Sequence, residues 1–228
     1  MHLMNVSVST AVDGDMSLAE NRRLFCERIG SNPAQLVLME KGRSGAECVV
    51  VSERDCGVVS ADALVTQSPT LVLGLLTADC LPVALYEPHV GVALAHCGWS
   101  GVDKCLAGKT VEKMVALGGQ SGEMRVAIGP CIKKEAYVVS EEKLSQKDDP
   151  AWKPFLTKGE RGWYVDLVGY VTAQLKEKGV PESQISVSDV DTYTDTRYFS
   201  HRRAVETGEN DGRMLTCVSF GKEGTLLR

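Results

Sequence analysis

The sequence predicts one domain of mixed α/β or α+β class spanning residues 1–228, on three observations. Strand-like and helix-like runs are intermixed along the chain. Of its 228 residues, 43% are apolar and 24% charged, the balance of a globular chain able to bury a sizeable core. No internal repeat or low-complexity segment interrupts it.

Taken in order, Ser17-Leu18-Ala19-Glu20 reads as a capping box that opens a helix running to about Ile29. Leu18, Phe25 and Ile29 share one side of it and Gly30 is its stop. Six strand-like segments follow: Gln35–Met39, Glu47–Val51, Ala63–Thr66, Thr70–Thr77, Leu81–Tyr86 and Val90–Ala95. The near-continuous apolar character of the last three predicts strands buried on both faces. After Gly101 the period changes, and Val111, Met114, Val115 and Leu117 mark a helix ended by Gly118-Gly119. Met124–Ile128 reads as a strand, Ser140–Ser145 as a short helix and Lys147–Arg161, with Pro150 and Pro154, as a long loop. A second clear helix covers Asp166–Lys178, with Leu167, Tyr170, Val171 and Leu175 inward and Gly179 as its stop. Ile185–Val187 and Met214–Phe220 close the chain as strands.

Lys plus Arg number 25 against 30 Asp plus Glu, a net charge of −5, and no Lys/Arg block occurs. Phosphate-backbone binding relies on clustered positive charge, so no nucleic-acid partner is expected. The N-terminus lacks a basic stretch followed by an apolar run. The longest apolar stretch, Thr70–Ala78, contains Gly74 and falls short of the roughly 20 residues that span a bilayer, so no membrane partner is expected. Eight cysteines without a CxxC pair read as the thiols of a cytoplasmic protein. There is no Walker A, GxGxxG, HExxH or GxSxG sequence.

The chain has four histidines, which narrows any metal or acid–base site. His2 is terminal, and His89 sits in the turn Tyr86-Glu87-Pro88-His89, where exposure without a role is expected. His96 ends a strand and enters the glycine-flanked turn Cys97-Gly98-Trp99-Ser100-Gly101. Cys80 follows Asp79 at the end of another apolar strand. The hairpin-like path between them can bring Cys80 and His96 to one sheet edge, as a nucleophile with its base or as ligands for zinc or copper. A buried cysteine and a core histidine satisfy the same pattern. Arg202 and Arg203, beside His201, can take a phosphate or carboxylate, or form a solvated basic end near Glu206.

Thr77-Ala78-Asp79-Cys80-Leu81-Pro82-Val83, Ala95-His96-Cys97-Gly98-Trp99-Ser100-Gly101 and Ile128-Gly129-Pro130-Cys131-Ile132 resemble, in order, three signature blocks of the YfiH-like laccase-domain family. That family is also called polyphenol oxidase-like, or purine nucleoside phosphorylase of the laccase-domain type. Asn21-Arg22, Ala61–Thr66, Asp166-Leu167, Phe199–Arg203, Thr207-Gly208 and Gly212–Met214 look like further landmarks, so the resemblance covers residues 18 to 220.

The resemblance implies a four-layer α/β/β/α fold with mixed sheets, related to toxin deamidases. It also implies a metal, usually zinc, held by one cysteine and two histidines. Cys80 and His96 match two of these ligands. The third belongs to a Gln-x-His-Gly motif, but the corresponding segment reads Glu40-Lys41-Gly42-Arg43-Ser44-Gly45-Ala46, with Arg43 or Ser44 at the histidine's place. Two ligands predict weak zinc binding, unless Cys48 or His201 supplies a third. The family's Gly-Trp-Arg-Gly is Gly98-Trp99-Ser100-Gly101 here, and its late Cys-Thr is Asp191-Thr192.

The activity implied is phosphorolysis of adenosine or inosine, with adenosine deamination beside it. The substrates would then be a purine nucleoside and phosphate. Cys80 and His96 would form the centre, Asp79 would orient it, and Arg43, His201, Arg202 and Arg203 would bind substrate or phosphate. The other readings are copper-dependent phenol oxidation, a metal-free Cys–His hydrolase and a binding protein without chemistry. Four histidines cannot build a full multicopper set.

Overall fold

A computed structural model of the chain describes residues 3–42 and 46–221. The strands and α-helices are β1 (Leu3–Val8), α1 (Ala19–Arg28), β2 (Leu36–Lys41), β3 (Cys48–Val50), β4 (Gly57–Ala61), β5 (Ala63–Thr66), β6 (Val72–Thr77), β7 (Leu81–Glu87) and β8 (Gly91–Cys97). They continue with α2 (Trp99–Asp103), α3 (Leu106–Ala116), β9 (Arg125–Ile128), β10 (Val138–Val139), β11 (Leu156–Gly159), β12 (Gly162–Val165), α4 (Leu167–Glu177), β13 (Ile185–Val187), α5 (His201–Thr207) and β14 (Met214–Gly221).

Two mixed sheets stack face to face. One has strand order β1-β14-β6-β2-β4 and the other β13-β9-β7-β8-β5-β3, while β10-β12-β11 form a small separate sheet. Side-chain alternation sorts the strands into layers. On β8, Val92 and Leu94 join Leu73, Leu75 and Val218 of the opposing sheet. Ala93, Ala95 and Cys97 face the other way, onto Leu106 and Val111 of α3 and Val171 and Leu175 of α4. Phe25 and Cys26 of α1 cover the outer face of the first sheet through Leu38, Val72, Leu215 and Cys217. The layers are therefore α1, sheet, sheet, α3–α4, the four-layer α/β/β/α arrangement expected. Every residue of β7 is buried, as its unbroken apolar run predicts.

Four local readings differ from the structure. Ser17 does not cap α1, because Asp15 takes both its amide (2.9 Å) and its hydroxyl (2.7 Å), and Glu20 pairs with Arg23. Leu18 is consequently the N-cap residue and is exposed. The edge strands β1 and β4, each with one pairing partner and part-exposed residues, are not among the strands expected above, although Met4, Val6 and Val8 alternate with polar residues along β1. The segment Lys147–Arg161 contains β11 and the wholly buried Trp152, whose indole N–H donates to Asp103 at 3.0 Å. Ser140–Ser145 holds only a single 3₁₀ turn, Glu141–Lys143.

Candidate functional site

The turn from β6 to β7 carries the chain from one sheet to the other, and Asp79 lies in it with φ +81°, a left-handed conformation few non-glycine residues adopt. Its bonds hold that conformation. One carboxylate oxygen accepts from the Thr192 hydroxyl at 2.7 Å and the other from the Arg202 main-chain N–H at 2.7 Å. Its carbonyl accepts from the Ile132 N–H at 3.0 Å. Asp79 thus ties together the turn, the Cys131 segment and the start of α5.

Cys80 follows, and the pairing Leu81↔Cys97 and Pro82↔His96 puts it at the end of β8. Gly98 explains why sulfur and imidazole can meet there. A Cβ on Gly98 would lie 2.8 Å from Cys80 Sγ and 3.8 Å from His96 Nε2, so both atoms converge on a spot that only glycine leaves open. Strand parity selects His96 for this. His96 alternates with Val92 and Leu94 toward the gap between the sheets, while Cys97 turns into the helical core. Burial pushes the Cys97 thiol far up and that of Cys131 to about 11, so both are held as neutral thiols.

Asp62 supports the same end of the sheet. Its carbonyl accepts from the His96 N–H at 2.9 Å. One oxygen of its buried carboxylate accepts from Ala46 N–H at 2.9 Å and Glu47 N–H at 3.0 Å. Arg43 and Ser44 lie outside the described residues. The residues flanking the gap, Gly42 and Ala46, are both at this carboxylate, since a Cβ on Gly42 would meet it at 2.8 Å.

Of the four basic residues expected near the site, Arg43 lies outside the described residues, and among the other three Arg202 packs toward it. Its guanidinium donates to the Val138 carbonyl at 2.8 Å and sits 5.3 Å over the Tyr137 ring. The Tyr137 phenol is pushed up to about 12, by burial first and then by Cys80 and Asp79, against Arg202. Tyr137 therefore joins Arg202 to the Cys80 side of the turn. Trp99 lies 6.2 Å from Tyr137 and stacks on Trp152 at 4.8 Å, which continues the aromatic wall into the core.

Arg203 is placed differently. Its guanidinium donates to the carbonyls of Thr192 (2.6 Å), Tyr193 (2.8 Å) and Tyr198 (2.7 Å) and to Glu209 (2.6 Å). It clamps α5 to the preceding loop. His201 is 58% exposed and pairs with Asp211 at 3.0 Å. Tyr137 and Asp62 are the residues that sequence reasoning missed. Tyr137 has no local signal. The lone aspartate between Ala61 and Ala63 in an otherwise apolar run was the signal for Asp62.

Cys80 and His96 offer the sulfur and imidazole nitrogen that zinc prefers, at a spot kept clear by Gly98. They fit a zinc site in donor type and would supply two protein ligands. Neither Cys48 nor His201 completes a trio with them among the described residues. There, the one group of three candidate ligands is Glu87, His89 and Glu123, whose ligand atoms lie within 4.8 Å of one another. Glu87 is buried and already accepts from the amides of His89, Val90 and Gln120. His89 is exposed, as expected, and lies 3.6 Å from Glu123. No described helix is long and apolar enough to cross a membrane.

Comparison with known proteins places the chain in a family. The chain is 35% identical over 209 residues to a purine nucleoside phosphorylase of Deinococcus radiodurans, covering 91% of this chain and 79% of that one. It is 31% identical over 224 residues to an adenosine deaminase from an unknown prokaryotic organism, covering 90% and 83%. The solved structure of YlmD from Geobacillus stearothermophilus matches with a TM-score of 0.80 at 30% identity, covering 90% of this chain and 80% of that one. These likenesses place the chain among enzymes. The signature of the family described as multi-copper polyphenol oxidoreductase laccase matches residues 1–221, and the chain belongs to that family.

Proposed function

We propose that the chain is a purine nucleoside phosphorylase working at the Cys80–His96 site. The observation that carries this reading is the convergence of Cys80 Sγ and His96 Nε2 at Gly98, with Arg202 held beside Tyr137 on the same side of the fold. In phosphorolysis a phosphate oxygen bonds to C1′ of the ribose as the bond from C1′ to the base nitrogen breaks. The electron pair leaves with the base, which takes up a proton. The products are ribose 1-phosphate and the free purine.

The residues divide this work by charge and position. Arg202 offers a planar guanidinium to phosphate oxygens, and its bond to Val138 fixes the fork's orientation. Tyr137 stays neutral and can donate its O–H. His96 can hold the proton that the departing base needs. Asp79 keeps Cys80 and the first turn of α5 in register through its bond to Arg202. A zinc ion held by Cys80 and His96 would act as a Lewis acid toward a substrate oxygen.

The experiment is base release from adenosine and inosine with and without inorganic phosphate. Phosphate-dependent adenine and hypoxanthine are expected. Cys80→Ala or His96→Ala should lower kcat/KM by about 100-fold or more. Base release that ignores phosphate, or no release, overturns the reading. The likeness to an adenosine deaminase supports a second activity, in which water adds at C6 of adenosine and ammonia leaves. Inosine and ammonia formed without phosphate would report it.

A further inference from the structure

On the opposite side of the first sheet, the inner face of α1 brings Cys26 against Cys217 of β14. Both thiols are buried, at 0% and 3% exposure, among Met16, Phe25, Leu38, Val72 and Leu215. A hydrogen bond joins the two sulfurs. Alternation along β14 puts this pair together, because Leu215 and Cys217 face α1 while Val218 faces the other sheet. Cys217 also lines a cleft of about 580 Å³ between α1 and the strands β1 and β14, walled by Asn5, Ser7, Phe25 and Arg28. The cleft gives a small solute access to Cys217, with Cys26 enclosed behind it.

We propose that Cys26 and Cys217 are a modification site, forming a reversible disulfide with hydrogen peroxide as the oxidant. The Cys217 sulfur, as thiolate, attacks one peroxide oxygen. The O–O bond breaks, the departing hydroxide takes up the proton lost by Cys217, and Cys217 becomes a sulfenic acid. The Cys26 sulfur then attacks the Cys217 sulfur, the S–O bond breaks, and hydroxide leaves with the Cys26 proton as water. Two thiols lose two electrons in all, and one peroxide becomes two waters. The order follows from access, because Cys217 lines the cleft while Cys26 is enclosed. The new bond would fasten α1 to the C-terminal strand, closing most of the chain into one loop.

Peptide mapping of the full chain tests this. The reduced protein is exposed to hydrogen peroxide, alkylated and digested with trypsin without reduction. The expected product joins peptides 24–28 and 214–222, two hydrogens lighter than the separate thiol forms, and dithiothreitol separates them. Oxidation should also raise the unfolding midpoint by about 5 °C, and Cys217→Ser should abolish the rise. Both thiols remaining free to alkylate, a sulfinic acid at Cys217, or a link through another pair such as Cys80 and Cys97 would each overturn the proposal. If Cys217→Ser does not fold, the map of the unmodified chain decides.

Discussion

The Asp79 carboxylate accepts a 2.7 Å hydrogen bond from the main-chain N–H of Arg202, across 123 positions of sequence. This bond fastens the turn that carries Cys80 to the helix that carries Arg202. Each side therefore depends on the other for its position.

Asp79→Ala should lower stability by about 2–4 kcal/mol. It strands the Thr192 hydroxyl and the Arg202 N–H and puts a β-carbon residue without bonds at φ +81°. Asp79→Asn should lose less than half of that, since asparagine tolerates positive φ and keeps an acceptor. Urea unfolding of both variants measures the difference, and equal losses would contradict the account.

Arg202 and Arg203 should separate cleanly. Arg203→Ala leaves three carbonyls without their donor and should cost about 1–3 kcal/mol. Arg202→Ala should change stability by under about 1 kcal/mol while raising KM for phosphate about tenfold or more. Denaturation midpoints and phosphate-dependent kinetics on the two variants provide the readout.

Zinc affinity should rise when a third ligand is supplied. Arg43→His or Ser44→His, whichever faces the Cys80–His96 spot, should tighten zinc by about 100-fold or more in competition with a chelator. The unmodified protein should lose zinc readily to the same chelator. Tight zinc retention by the unmodified chain would show that a third ligand is already in place.

Alkaline stability should depend on Tyr137. Its phenol is pushed from 10 to about 12 in the folded chain, foremost by burial. Between those values the unfolded chain releases a proton that the folded chain keeps, so the unfolded state gains and stability falls as pH rises. The contribution is whole below pH 10 and is lost by about pH 12. Tyr137→Phe should flatten this part of the stability profile, as followed by urea unfolding across the range.

The class of fold and the centre of the site are legible in the sequence by itself. The runs of β6, β7 and β8 are apolar at nearly every position because both faces of these strands are covered, and that needs layers on either side. Cys80 and His96 stand out because they break such runs next to glycine and proline. The tertiary structure alone decided what the neighbours of those residues do. Arg202 and Arg203 are adjacent in sequence, but one helical residue turns the side chain by about 100°. One guanidinium therefore reaches Tyr137 and the other the carbonyls that hold α5. Tyr137, Asp62 and the Asp79–Thr192 bond join segments far apart in the chain, and Trp152 is buried from within a polar stretch. Such partners are set by chain crossings between sheets, which local periodicity does not encode.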